Sequence, residues 1–199
     1  DLRTKPYVKE AFTMGTYVKI TSYDKGHEKD VAAALAIAKD YDKKTSVNQS
    51  GSELDEINDQ AGIKPVKVSK AVYKLLKDAY DYSDKQTGFD MMIGAISSLW
   101  HIGFDDARKP SQAEIDQALP LVSHRLIEFD DQKQTVYITK KGAKIDLGAI
   151  TKGYVSDRMT DYLKDHGVTT AIVDLGSSSL SLIGHSHRGA EEPWTIGIK

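Results

Sequence analysis

The sequence predicts an α+β fold with a largely antiparallel sheet and packed helices. Segments that alternate apolar and polar residues, as half-buried strands do, are interspersed with longer segments carrying apolar residues at helical spacing. The two kinds do not follow the strict strand–helix–strand order that builds a parallel sheet. One pair of strand segments is also joined by only five polar residues, a connection suited to antiparallel strands.

The elements follow in order. Tyr17-Val18-Lys19-Ile20 alternates and reads as a strand, ended by the polar Asp24-Lys25-Gly26. Across residues 28–44, Val31, Leu35, Ala38 and Tyr41 fall on one helical face, and a polar stretch over residues 45–51 follows. Val72, Leu75, Leu76, Ala79 and Tyr80 form the apolar stripe of a second helix and read mainly as core. Ser111-Gln112-Ala113-Glu114 has the spacing of a capping box, opening a short helix that Pro120 ends. Leu126-Ile127-Glu128-Phe129 and Thr135-Val136-Tyr137-Ile138 flank Asp130-Asp131-Gln132-Lys133 as a hairpin. Residues 148–164 place Val155, Met159, Tyr162 and Leu163 on one helical face, with Gly167 positioned to stop the helix. Strands are expected at Ala171-Ile172-Val173-Asp174-Leu175, over residues 180–183 and over residues 194–198. No repeat and no internal boundary interrupts residues 1–199, so a single domain is expected.

Composition narrows the function classes. Lys and Arg number 27 against 29 Asp and Glu, a net charge of −2, which lacks the basic footprint of a nucleic-acid binder. With 40% hydrophobic and 28% charged residues, the chain is globular in composition, and no apolar run is long enough to span a bilayer. Absence of cysteine excludes disulfides, thiolate catalysis and Cys-ligated zinc. The sequence opens on Asp1 without a signal-peptide pattern, as expected of a processed or trimmed chain.

Four stretches are richer in Gly, Ser and Asp than connectors require. In Phe12-Thr13-Met14-Gly15-Thr16, the glycine marks either a tight entry turn or a backbone that a ligand can approach. Near residues 46–54, Ser52 can cap a short helix, leaving its amides either capped or facing an anion. Thr87-Gly88-Phe89-Asp90, followed by Gly94 and Leu99-Trp100, suits either a nucleotide or a buried Phe beside a turn Asp. In the nucleotide case Phe stacks and Asp accepts from ribose hydroxyls or base amines. In Asp146-Leu147-Gly148-Ala149-Ile150-Thr151-Lys152-Gly153-Tyr154, a strand runs through glycine into a helix with unpaired amides. Lys152 there can hold a phosphate, and Asp146 can accept from a hydroxyl or amine. A lysine at a helix start gains nothing from the macrodipole, which favours a functional role. His185-Ser186-His187 offers two imidazoles on one strand face, but no third metal ligand is near, and surface histidines account for it. Ser177-Ser178-Ser179 lacks the flanking glycines of a nucleophile elbow, and no Walker loop or G-x-G-x-x-G run is present.

Taken in order, these stretches resemble the ApbE family, the FAD:protein FMN transferases. Met14-Gly15-Thr16 resembles the family's M-G-T, and Ser52-Glu53-Leu54 with Ile57-Asn58 its S-E-L-x-x-[IL]-N. Gly88-Phe89-Asp90 with Leu99-Trp100 is similar to A-F-D-P-T-x-G-P-L-x-x-L-W, and residues 146–154 with Asp157 to D-L-G-G-I-A-K-G-Y-x-x-D. Asp174-Leu175-Gly176 and Pro193-Trp194-Thr195-Ile196-Gly197-Ile198 resemble two later blocks. The resemblance implies a T-fold-like α+β architecture. It also implies Mg²⁺-dependent transfer of FMN from FAD to a Thr or Ser of a target flavoprotein, with release of AMP. By position it implies FAD contacts at Met14, Asn48, Gly88, Phe89, Asp90, Asp146 and Lys152, and a metal ligand in the Ala149 carbonyl. It implies an extracytoplasmic lipoprotein, touching the membrane only through an anchor removed from this chain.

The departures from the family pattern are specific. Met91-Met92 replaces Pro-Thr, Ala95-Ile96 replaces Pro-Leu, Asn48 replaces an aromatic, and Ser177-Ser178 replaces Gly-Asn. Family members continue beyond the equivalent of Lys199 into an Asp- and Thr-containing segment that supplies further metal ligands and the base. The chain is therefore expected to be the family's N-terminal part, weak or inactive alone, with its catalytic residues unassigned. The alternative is a non-catalytic flavin-binding module or a degenerate paralogue.

Overall fold

The computed structural model describes residues 2–47, 50–85, 88–176, 178–189 and 191–197. In chain order its elements are β1 (Leu2–Thr13), β2 (Thr16–Asp24), α1 (Glu28–Thr45), α2 (Glu53–Asp59), β3 (Val66–Lys67), α3 (Lys70–Asp84), α4 (Gly94–Ser97), α5 (Gln112–Ala118), β4 (Ile127–Asp130), β5 (Thr135–Ile138), α6 (Thr151–Asp165), β6 (Ala171–Leu175) and β7 (Ser179–Ile183). They divide into two units: residues 1–43 with 151–199, and residues 44–150 between them.

The first unit is a four-stranded sheet in the order β1-β2-β6-β7, antiparallel throughout. Strand alternation sends Val18 and Ile20 of β2 and Ala171, Val173 and Leu175 of β6 to one face, where all are fully buried. Fully buried side chains also come from α1 (Val31, Ala34, Ala38) and α6 (Val155, Met159, Leu163), the faces their spacing predicts. Tyr41 of α1 and Tyr154 of α6 meet edge-on, ring centroids 5.8 Å apart. Burial, then the neighbouring Tyr154 phenol, pushes the Tyr41 hydroxyl up to about 12, so it stays neutral. The opposite face of the sheet exposes Val8, Phe12, Tyr17, Leu180 and Leu182.

Two features of this unit differ from the sequence expectation. β1 is a long strand that periodicity did not reveal. It is an edge strand rich in Arg3, Lys5, Lys9 and Glu10, and its register slips between Leu2 and Tyr7, around Pro6. Proline and charge are what a sheet edge tolerates and a central strand does not. The strand expected over residues 194–198 is not formed across 194–197, while Ile198 lies outside the described residues. A turn closed by Ser186 N–H on Glu192 O folds this segment back, and the Trp194 indole N–H donates to Gly184 O at 3.0 Å. Its anchor is a side chain, not a backbone ladder.

The second unit holds the small sheet β3-β5-β4, also antiparallel, and α2 to α5. Leu54, Ile57, Leu75, Leu76, Met91, Met92, Val136, Ile138 and Ile145 are buried in it. Ser52 caps α2 by accepting from Asp55 N–H at 3.0 Å, which settles its role as a cap. Glu53 reaches across to Ser69, the cap of α3, bonding both its N–H and its hydroxyl (2.9 Å). The capping box of α5 is complete, and Pro120 sits in a 3-10 turn that follows, Leu119–Leu121. Among the described residues no helix is long and apolar enough to cross a membrane.

The α5 cap gives a pH test. Arg108 first, then the Ser111 N–H and hydroxyl, draw the Glu114 carboxyl down from 4.5 to about 2. A depressed carboxylate stabilises the fold above its unfolded value, and that contribution is lost as pH falls toward the folded one. Urea midpoints followed from about pH 5 to about pH 2 should therefore fall less steeply in Glu114→Gln than in the parent.

Candidate functional site

The resemblance placed site residues in both units, and each unit builds its share from local structure. In the second unit, residues 88–97 and 144–148 lie side by side. Asp146 N–H donates to Met91 O at 2.9 Å, and Ile93 makes a parallel bridge with Lys144. A Cβ on Gly94 would sit 2.6 Å from Lys144 O, so glycine is what lets the two segments approach. Asp146 Oδ2 accepts from the Ser97 hydroxyl at 2.6 Å and Oδ1 from Gly148 N–H at 2.8 Å. A carboxylate has about four acceptor positions, so among the described residues half of those on Asp146 stay open.

Asp90 is more fully engaged. Its Oδ1 accepts from Met92 N–H at 2.8 Å, and its Oδ2 accepts at 3.1 Å from both the backbone N–H and the ring Nδ1 of His124. It is a turn carboxylate held from two sides. Gly88 precedes it at φ 84°, a left-handed conformation that glycine adopts without cost. Phe89 and Asp90 are half-buried. The methionines that replace Pro-Thr have a structural reason. Both are fully buried, and Met91 N–H donates to Ser83 Oγ at 3.0 Å, a bond that proline at this position cannot make.

The Asp146 segment differs from its sequence reading in one respect. Only the Lys144 bridge is strand-like, and a turn over residues 147–150, closed by Ile150 N–H on Leu147 O, precedes α6 at Thr151. Ala149 is exposed in that turn. Magnesium prefers six oxygen ligands in near-octahedral array. Among the described residues no three His, Asp or Glu side chains converge to supply them. These residues do not make a magnesium shell by themselves.

In the first unit, Met14 and Gly15 are the two loop residues of the β1–β2 hairpin, between the paired Thr13 and Thr16. Both have positive φ, 56° and 71°, as the tight turn matching strand twist requires. Glycine takes that conformation freely, whereas Met14 takes it under strain, the kind of backbone cost that concentrates at functional sites. Thr16 meets the D-L-G block: Gly176 N–H donates to Tyr17 O at 3.1 Å, against the Thr16 side chain. Lys152, second residue of α6, is half-buried, and no hydrogen bond or ion pair engages its ammonium among the described residues. Asn48 and Ser177 lie outside the described residues.

The structure thus brings Gly88, Phe89, Asp90, Asp146 and Ala149 into one unit, and Met14 and Lys152 into the other. Ser97 and His124 went unnoticed in the sequence. Ser97 carried no signal, and His124 lies 34 residues from the aspartate it holds.

An antiparallel sheet with helices on one face, interrupted by a second α+β unit, is the architecture of solved ApbE proteins. The ApbE protein of Thermotoga maritima MSB8 superposes with a TM-score of 0.86 at 30% identity, over 98% of this chain and 63% of that one. The apo flavinyl transferase ApbE of Pseudomonas stutzeri shares the fold with a TM-score of 0.83 at 24% identity, over 98% and 65%. The model of the ApbE family matches residues 14–199, and the chain belongs to that family. Among curated relatives, the FAD:protein FMN transferase of Klebsiella pneumoniae (strain 342) is 33% identical over 97% of this chain and 58% of its own length. The enzyme of the same name from Treponema pallidum (strain Nichols) is 31% identical over 99% and 59%. The chain therefore spans just under three fifths of the length of these relatives.

Proposed function

We propose that the protein is an FMN transferase acting on FAD in the presence of Mg²⁺. The hydroxyl oxygen of a Thr or Ser on a target protein forms a bond to the FMN phosphorus. The pyrophosphate bridge breaks, AMP leaves with the bridging oxygen, and the hydroxyl proton passes to solvent or a base. Membership of the ApbE family across residues 14–199 carries this reading. Met14, Gly88, Phe89, Asp90, Asp146 and Lys152 are its FAD contacts, and the Ala149 carbonyl is its contribution to the metal.

The side chains suit those roles. Among the described residues Asp146 keeps open acceptor positions for a hydroxyl or amine, and the Lys152 ammonium engages no partner and is open to a phosphate. Phosphoryl transfer depends chiefly on positioning and on neutralising charge that builds on the transferred group. The intact protein is placed outside the cytoplasm on a lipid anchor, a reading supported by the family resemblance alone. A second reading, a flavin-binding module without turnover, is favoured by the departure from the family pattern at Met91-Met92, where both side chains are buried in the core.

Incubation with FAD, Mg²⁺ and a target protein carrying the acceptor Thr, followed by mass spectrometry, separates the two. Transfer adds one FMN less one water and releases AMP. In Lys152→Ala the rate is expected to fall on the order of 100-fold, with the unfolding midpoint nearly unchanged. FAD binding without AMP release supports the module, and absence of both overturns the flavin reading.

A further inference from the structure

The His124 ring lies between two carboxylates. Nδ1 is 3.1 Å from Asp90 Oδ2, and Nε2 is 3.3 Å from Asp84 Oδ1. Carboxylates accept and do not donate, so each of these bonds needs a proton on the imidazole nitrogen, and only the doubly protonated ring makes both. The side chain is 12% exposed, against 63% for Asp84 and 25% for Asp90. Tyr80 of α3 meets the ring edge-on at 5.0 Å. Asp84 and Tyr80 from α3 and Asp90 from its turn are the titratable groups facing the ring. Among the described residues no Lys or Arg forms an ion pair with Asp84 or Asp90. The His124 backbone is fixed as well, its N–H donating to the same Asp90 oxygen.

We infer that His124 is a positioning residue for the flavin contacts of the second unit: as a cation it ties Asp84, the last residue of α3, to the turn that carries Phe89 and Asp90. This rests on the flavin reading above. Asp90 has three of its roughly four acceptor positions filled, two of them by His124, so the direction of its remaining lone pair is set by this residue. Loss of a ring proton releases one of the two carboxylates, and the turn loses one of its ties. FAD affinity is therefore highest where the ring carries both protons and lower where either one is lost.

The test is FAD titration of the 199-residue chain, read by flavin fluorescence, from about pH 5.5 to about pH 8.5 for the parent, His124→Gln and Asp84→Asn. The parent is expected to bind about tenfold more weakly at the alkaline end, the size of one charge-assisted hydrogen bond. His124→Gln should bind roughly tenfold more weakly than the parent at the acidic end and vary little with pH. Asp84→Asn should keep its fold and lose part of the pH dependence. Thermal unfolding of each variant separates this from a purely structural role, which would lower the melting temperature and leave the shape of the pH profile unchanged. Parallel profiles for parent and His124→Gln overturn the inference while leaving the flavin reading intact. A parent that binds no FAD at any pH overturns both.

Discussion

Replacing Gly176 by alanine is expected to destabilise the protein by about 3 kcal/mol, through overpacking and left-handed backbone strain together. Gly176 follows β6 at φ 63°, where an L side chain is strained. A Cβ built there would lie 1.9 Å from Thr16 Oγ1 and 2.8 Å from both Thr16 Cβ and Cγ2. Rotating the threonine exchanges its hydroxyl and methyl but leaves its Cβ in place, so no rotamer relieves the contact. The backbone would have to move, and it is pinned by Gly176 N–H on Tyr17 O at 3.1 Å and by the Val18–Leu175 register.

A double-mutant cycle tests this account. Thr16→Gly removes all three offending atoms, so adding it to Gly176→Ala should recover the steric part, about 1–3 kcal/mol, and leave the dihedral part. Urea unfolding of the four proteins reads the coupling directly. Strict additivity, or a Gly176→Ala protein as stable as the parent, would sink the explanation. The same junction seats the hairpin whose tip is Met14, so on the proposed flavin reading FAD affinity should fall with stability in the single mutant.

This contact also shows what the sequence could and could not convey. Met14-Gly15-Thr16 and Asp174-Leu175-Gly176 each read as separate glycine-bearing blocks. Their meeting, threonine against glycine, depends on β2 pairing with β6 across more than half the chain, which no local pattern encodes. The helices were legible because burial on one face imposes a period on their own residues: Val31 and Ala38 on α1, Leu75 and Leu76 on α3, Met159 and Leu163 on α6 are all fully buried. The caps were legible for a similar reason, since Ser52 and Ser111 bond amides three residues away. β1 was not, because an edge strand carrying Pro6 and alternating charges has no buried face to declare itself. The residues 194–197 misled in the opposite sense. Their apolar pattern suits a strand, but a strand also needs a neighbouring backbone, and Trp194 spends its indole on a carbonyl instead. The candidate site divides in the same way: Asp90 and Asp146 stood out by motif, whereas His124 and Ser97, which orient them, are joined to them only by the fold.

Asn58 is expected to be as costly to lose as Gly176 is to fill. Its side-chain amide makes two bonds to one residue: Nδ2 donates to Ile145 O at 3.1 Å, and Oδ1 accepts from Ile145 N–H at 2.8 Å. Ile145 is fully buried, so water cannot replace either partner. Asn58→Ala strands a backbone donor and a backbone acceptor in the interior, at a combined cost of about 2–4 kcal/mol. Asn58→Asp should be no better at neutral pH, because a carboxylate satisfies the Ile145 N–H while turning an oxygen toward the Ile145 carbonyl. Ser97→Ala, by contrast, removes one bond from the half-buried Asp146, which water can partly restore, and should cost about 1 kcal/mol or less. Urea unfolding ranks the three, and an Asn58→Asp protein as stable as the parent would show that the two-bond clamp is not what the position requires. Because Ile145 immediately precedes Asp146, the clamp fixes the backbone that aims the carboxylate. On the proposed flavin reading, Asn58→Ala should therefore weaken FAD binding more than Ser97→Ala does, although Ser97, and not Asn58, touches Asp146.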